Sequence, residues 1–586
     1  MNQETKQCQN CKQDFVIEPD DFVFYEKIKI PAPTFCPDCR IIRRMAWRNE
    51  RTLYHRKCDA TGKDVITMFA PATPEGGEPR PEKDSGREQP HVVYERDYWW
   101  SDNWDQNVSG REYDFSKPFF QQFKELFQRA PLPNLANSNT RNSDYGNHNA
   151  DMKDCYLTYA SFRNEDSSYC SGIVDCKNCV DVYKGLNFMQ CYEDTLGTNM
   201  NRVFFSYDSD DCVGSAFLHA CKNVIDCMGC INLRNKSHCI FNKQYTKDEY
   251  EKEKAKYDLG SYKGLCEFRK KFAEFIKQYP RRYGFIQKSV NCVGDNVLNC
   301  KNVYMGFDVY GGVEDCKYAV HAWDGLKDSY DGYGFGANLT YSYEVVDTGI
   351  DSTRNFFTVF THSCQNVDYT YACQNSKNLF GCVGLRSKQY CILNKQYTKE
   401  EYEELVPKII AHMNDMPYTD KKGIKYKYGE FFPSEISPFA YNETIAQEHY
   451  PKTKEEILEN GYIWKEPDTK QYKITLQPTD LPDHIKDVKD DILNQVIACE
   501  HNGTCNEQCM GAFKIIPSEL AFYRTMNLAL PRLCSNCRHY YRLRQRNPFK
   551  LWDRICAKCG KDIKTSYAPD RIEIIYCEAC YNQEVA

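Results

Sequence analysis

Long apolar runs are missing from this chain, and so are the short motifs that mark most enzymes. No stretch approaches the roughly 18–20 consecutive apolar residues that a membrane-spanning helix needs. The first residues, Met1 to Lys12, are polar and carry cysteine where an export signal would be apolar. A cytoplasmic protein with no membrane partner is therefore expected. No nucleophile elbow, phosphate-binding loop, HExxH pair or dinucleotide fingerprint occurs, so no catalytic residue is assigned. Net charge is scarce as well. A formal −6 over 586 residues neither recruits nor repels nucleic acid, which leaves the decision to local clusters.

What the chain does contain is cysteine, 32 residues of it, beside 43 Tyr and 32 Phe. Hydrophobic residues make up 41% and charged residues 27%, a globular composition, and abundant aromatics suit β-structure. In a large chain without an export signal, CxxC pairs hold metal more often than they form disulfides.

Compared with itself, the chain repeats at its two ends. Residues 11–71 align without gaps with 509–569 at an offset of 498, giving 22 identities in 61 positions. Phe15 matches Phe513, Pro19 matches Pro517, Tyr25 matches Tyr523, and Gly62-Lys63-Asp64 matches Gly560-Lys561-Asp562. The ends are copies of one module. Each copy opens with two cysteine pairs, Cys8/Cys11 with Cys36/Cys39 and Cys505/Cys509 with Cys534/Cys537. Zn²⁺ takes four soft ligands in a tetrahedron, and each knuckle supplies two thiolates. The bound ion then replaces a core too small to fold alone.

The segment "CQNCKQDFVIEPDDFVFYEKIKIPAPTFCPDCRIIRR" resembles a small zinc-ribbon domain found across bacteria. The whole chain, including "FKIIPSELAFYRTMNLALPRLCSNCRHYYRLRQRNPFKLWDR", resembles large uncharacterised zinc-ribbon proteins of candidate-phyla-radiation bacteria. Some of these carry a CaiB/BaiF CoA-transferase label, which no motif in this sequence supports.

The second half of each module is a further ribbon. Cys556/Cys559 and Cys577/Cys580 form a complete set of four thiolates, whereas in the N-terminal copy only Cys58 remains. Thr61 replaces one cysteine, and Glu95 and Tyr98 fall opposite the last pair, after the insertion "PATPEGGEPRPEKDSGREQP". That insertion reads as a disordered loop. Three zinc ions are expected. Cys499 and His501, which precede the Cys505 ribbon, are expected to be structural, with metal ligation the alternative should Cys505 be displaced.

Between the modules the sequence repeats on a shorter period. The spacing from Cys155 to Cys176 recurs from Cys170 to Cys191 and from Cys191 to Cys212, and a Cys-Lys-Asn turn recurs at Asn178, Asn223 and Asn302. Short β-rich strips separated by Asn turns that tolerate the left-handed conformation suit a right-handed β-helix-like solenoid. Two strips per coil would give a repeat of ~21–26 residues. The motif NKQYTK[DE]EY begins at both Asn242 and Asn394 and runs into a helix with a capping box, Thr246/Glu249 or Thr398/Glu401. The solenoid cysteines read as an inward stack of small thiols. A metal or redox array using pairs such as Cys176/Cys179 and Cys227/Cys230 is the sharper alternative, and disulfides are a third.

The fold expected is mainly β with small α, duplicated zinc-ribbon modules flanking a solenoid. The divisions are a ribbon with basic helix (1–57), a degenerate metal-free ribbon (58–105), and two solenoid halves with capping helices (139–260 and 285–412). A mixed linker (413–498), a second ribbon with basic helix (499–550) and a last ribbon (551–586) complete the chain.

After the second knuckle each module becomes basic. Arg40, Arg44 and Arg48 share one helix face, as do Arg538, Arg542 and Arg546. Beside Trp47 or Tyr540/Tyr541 such a face suits phosphates and stacked bases, which makes RNA, or else DNA, the expected partner. Internal salt bridges to the acidic middle of the chain are the competing explanation. Two other functions stand beside nucleic-acid binding. One is a protein-interaction scaffold using the solenoid surface. The other is a polysaccharide-acting β-helix enzyme built on carboxylates such as Asp208, Asp210, Asp211 and Asp331.

Overall fold

A computed structural model describes residues 2–71, 91–466 and 472–585. All of the Pro/Gly/Glu-rich insertion beyond Pro71 lies outside these residues. The protein is mainly β: a long solenoid with cysteine-rich modules near both termini.

The first solenoid half works on a period of three. From Asp151 to Phe241 nearly every third residue has positive φ, among them Asp154, Asn178, Asp181, Asn199 and Asn223. The residue after each such corner points inward, which is where Cys170, Ile173, Cys176, Cys179, Val182 and Cys191 are buried. The residue after that one pairs in parallel with its counterpart one coil on, as in Tyr183↔Thr195 and Thr195↔Tyr207. Side-chain bonds between corners of adjacent coils span the same separation of 12 along the sequence. A coil therefore has four short sides joined by four left-handed corners. The two-strip coil of ~21–26 residues expected from the cysteine spacing is corrected accordingly. That spacing is a multiple of the inward period and not one turn.

Each left-handed non-glycine corner costs about 1 kcal/mol or more. Backbone bonds to the neighbouring coils offset that cost, for example Tyr169 N–H to Tyr156 O and Ser168 N–H to Cys179 O, both 2.9 Å. Asn and Asp at corners add side-chain ladders: Asn187 donates to Asn199 at 3.1 Å, and Asn199 to Asp211 at 2.9 Å.

The second half forms an 11-stranded sheet, parallel up to its last strand, with longer strands such as Leu339–Gly349 and Ser352–His362. Its coils are one position longer where the strands are longest, as at Glu314↔Lys327, and shorten again by Gln365↔Lys377. Both halves end alike. Asn394 folds its amide back on the last coil, accepting from Val383 N–H at 2.8 Å and donating to Val383 O at 2.7 Å. Asn242 does the same to Ile231 at 2.9 and 3.0 Å. The amide completes an edge that no further coil pairs. The following strand then turns antiparallel, and helices Lys247–Lys254 and Lys399–Asp415 start from capping boxes at Thr246 and Thr398.

The modules and the linker fold back along the solenoid. Trp47 is buried against Phe127, Tyr371, Phe431 and Phe432, which joins the first module to the second solenoid half and the linker. Phe513, Leu520, Tyr523 and Leu530 of the last module share a core with Tyr192, Phe217 and Phe268 of the first half and its capping helices. The module at each end thus packs against the more distant half of the solenoid.

Candidate metal centres

In the Cys8, Cys58 and Cys556 ribbons the first knuckle is a tight turn after a short strand. The N–H of the fourth residue past the first cysteine donates to that cysteine's carbonyl: Lys12 to Cys8 at 3.1 Å, Gly62 to Cys58 and Gly560 to Cys556 at 2.9 Å. That residue is left-handed in all three, with φ of 62°, 71° and 73°, a conformation glycine takes freely. The second knuckle opens a helix. Cys36 caps Pro37–Met45 by accepting from Cys39 N–H, and Cys534 stands at the same cap position before Ser535–Leu543. A helix N-terminus carries positive partial charge, which favours a thiolate beside it.

Three groups of four sulfurs result: Cys8, Cys11, Cys36, Cys39; Cys499, Cys509, Cys534, Cys537; and Cys556, Cys559, Cys577, Cys580. Zn–S bonds of about 2.3 Å in a tetrahedron place sulfurs about 3.8 Å apart. Cys11–Cys36 and Cys559–Cys577 are each 3.7 Å, Cys499–Cys537 is 3.8 Å and Cys509–Cys534 is 3.9 Å. The first cysteine of each group also accepts a backbone N–H. Cys36 donates to Cys8 and Cys577 to Cys556, both at 3.2 Å, and Cys534 donates to Cys499 at 3.3 Å. At Cys556 burial raises the thiol, but N–H groups of Cys577, Cys559 and Lys558 outweigh it and bring the group down to about 6. Hydrogen bonds from Cys36 and Cys39 pull Cys8 well down. These donor sets suit a soft-ligand tetrahedral ion.

One expected ligand changes. Cys499, held in reserve by the sequence reading, takes the position that Cys505 was given. It follows strand Ile497–Ala498, which pairs with Ala512–Phe513 as Glu4–Gln7 pairs with Asp14–Ile17, and its N–H bonds Gly511 O as that of Cys8 bonds Gln13 O. The loop between is longer, and Cys505 lies out on it, 3.7 Å from Cys537 in a group with His501 and Glu507. The apolar strand "QVIAC" before Cys499 is a signal that knuckle spacing alone ignores. In the degenerate ribbon Cys58 still accepts Glu95 N–H at 3.2 Å, the bond that Cys577 makes to Cys556.

The six arginines expected on nucleic acid are a correction. Arg40, Arg44, Arg48, Arg538 and Arg542 are at most 6% exposed, and all six point into the solenoid. Arg40 and Arg44 both grip Asp331, at 2.9 and 3.2 Å. Arg538 and Arg542 both grip Asp181, at 2.8 and 3.0 Å. Arg48 reaches Asp347 at 3.6 Å and Arg546 reaches Asp308 at 2.9 Å. Trp47 and Tyr540 are buried too, so neither offers a face to a base. The apolar surface around each helix draws it down, and a buried guanidinium then needs a carboxylate.

The interior cysteines form dry stacks in both halves, and among the described residues every cysteine is free of a disulfide. Burial pushes Cys155 up to about 11 and Cys212, Cys221 and Cys364 up to about 12. Of the carboxylates weighed for catalysis, Asp331 is spent on arginines and Asp211 on an Asn ladder. Asp208 and Asp210 line a cleft of about 110 Å³ between the two halves and the last ribbon, with Tyr207, His219 and Arg281. Burial, helped by Asp210 and Asp295, lifts Asp208 to about 7.

No protein-family profile matches this chain, and a search of curated proteins finds no match either. Zinc-ribbon likeness rests on the cysteine geometry alone.

Proposed function

We propose that this protein is a non-catalytic, zinc-dependent scaffold of a reducing compartment. Its ribbons act as internal clamps on a twin solenoid whose outer face receives a protein partner. The observation that carries this reading is the double role of each ribbon helix: its N-terminus borders four sulfurs at tetrahedral spacing, and its arginines end in a buried solenoid carboxylate. The metal fixes the helix, and the helix fixes the module on the coils. Free thiols throughout the core favour a reducing compartment. Exposed apolar side chains on the coils of the first half, Val213 and Ile225 on adjacent coils and Met189 two coils before Val213, favour protein as the partner.

The test is to purify the protein without added metal and measure bound elements, expecting at least three zinc per chain. Fewer than three overturns the reading. Affinity capture before and after nuclease tests the partner. Proteins retained after digestion support the scaffold, and their loss returns nucleic acid to first place.

A second reading has its own observation. Arg281 lines the cleft at only 5% exposure and makes no ion pair among the described residues. A small ligand carrying a carboxylate or phosphate would supply the missing anion.

A further inference from the structure

Beside the second four-sulfur group lies a set of donors that it does not use. His501, Cys505 and Glu507 all sit on the long loop that separates Cys499 from Cys509, and together with Cys537 their ligand atoms lie within 4.8 Å of one another. Cys505 Sγ is 3.7 Å from Cys537 Sγ, His501 Nδ1 is 3.2 Å from Cys505 Sγ, and Glu507 Oε2 is 3.3 Å from His501 Nδ1. A tetrahedral zinc with N and O at about 2.0–2.1 Å and S at about 2.3 Å would set these edges at about 3.8, 3.6 and 3.3 Å.

Glu507 supplies an independent sign. It is 8% exposed, and its Oε2 is buried without a hydrogen-bond partner. An orphaned carboxylate oxygen is costly unless something positive meets it. Its other oxygen is held by Arg544, which orients the carboxylate from behind as outer partners of metal ligands do.

We propose that this loop binds a second zinc ion, joined to the first through the Cys537 thiolate, so that the C-terminal module carries a binuclear centre. A thiolate has lone pairs for two metals. Two Zn²⁺ with five thiolates and one carboxylate sum to −2, the same formal charge as one Zn²⁺ with four thiolates. The second ion therefore adds no net charge to the buried site. The N-terminal copy has no room for it: its knuckle closes from Cys8 to Cys11 with no loop between. The proposal rests on the reading of the cysteine groups as zinc sites, and its test separates the two.

Native mass spectrometry of the full-length protein is expected to give four zinc per chain, and three for both Cys505→Ser and Glu507→Gln. Cadmium substitution followed by ¹¹³Cd NMR is expected to add one resonance upfield of the all-thiolate signals, absent in Cys505→Ser. A wild-type count of three, or a fourth ion that survives both substitutions, overturns the binuclear centre and leaves the three-site scaffold standing. A count below three overturns both.

Discussion

Arg542 of the C-terminal ribbon lies 3.0 Å from Asp181 of the first solenoid half, and both side chains are sealed from solvent. In the N-terminal copy Arg44, 498 positions earlier, makes the equivalent contact with Asp331 in the other half. A duplicated helix thus carries a duplicated anchor. Removing one member of a buried pair leaves an uncompensated charge, which costs about 3–5 kcal/mol. Arg542→Gln should lower the thermal midpoint accordingly. Arg163→Gln, which breaks an exposed pair with Asp175, should cost about 1 kcal/mol or less. Equal shifts in the two variants would refute the anchor.

Chelation should undo the protein from its ends. Structural zinc is folding free energy for a small ribbon, whereas the solenoid is held by its own coil-to-coil bonds. Hydrogen exchange after metal removal should show loss of protection in residues 2–57 and 499–585, with the coils between 293 and 396 still protected. Uniform collapse would mean that the coils depend on the clamps.

The interior thiols should be inert. Burial raises Cys155, Cys212, Cys221 and Cys364 to about 11–12, and the thiolate is the nucleophile. Iodoacetamide should label exposed Cys266 in the native protein and reach these four only in denaturant, as peptide mass mapping would read.

The amide of Asn394 closes the second solenoid half through two hydrogen bonds. At about 1 kcal/mol each, Asn394→Ala should destabilise the last coil by about 2 kcal/mol, seen as faster exchange at the Val383 amide with the distant coils unchanged.

Stability should also carry a pH signature from Glu448, which burial lifts to about 7 although Arg51 pulls it down. The folded protein then holds this proton more tightly than the unfolded chain. Glu448 imposes nothing below the ordinary glutamate range, and a penalty grows as pH rises towards and through 7, reaching about 3 kcal/mol. Glu448→Gln should remove that loss. Melting temperatures of both forms at pH 6 and 8 would test it, and a wild-type protein that loses no more than the variant would refute it.

Much of this architecture was written in local chemistry. Residue spacing defines the paired knuckles, and the gapless copy at offset 498 identifies the duplicated module. Thr246 and Thr398 begin their helices because the capping box is a contact within one turn. The cysteines from Cys155 to Cys239 are all separated by multiples of three, so even the inward period was legible, although the length of the coil was not. Coil length depends on which strips meet in parallel, a long-range choice.

The sequence by itself determined which residues have metal-binding chemistry, where the modules lie and that the middle winds on itself, because each follows from spacing within a few residues. Only the tertiary structure decided what the arginines do and which sulfur completes the second group. A basic helix face looks the same whether phosphate or aspartate will meet it. Asp181 and Asp331 meet it because folding brings together residues hundreds of positions apart, and excluding water there makes the carboxylate necessary.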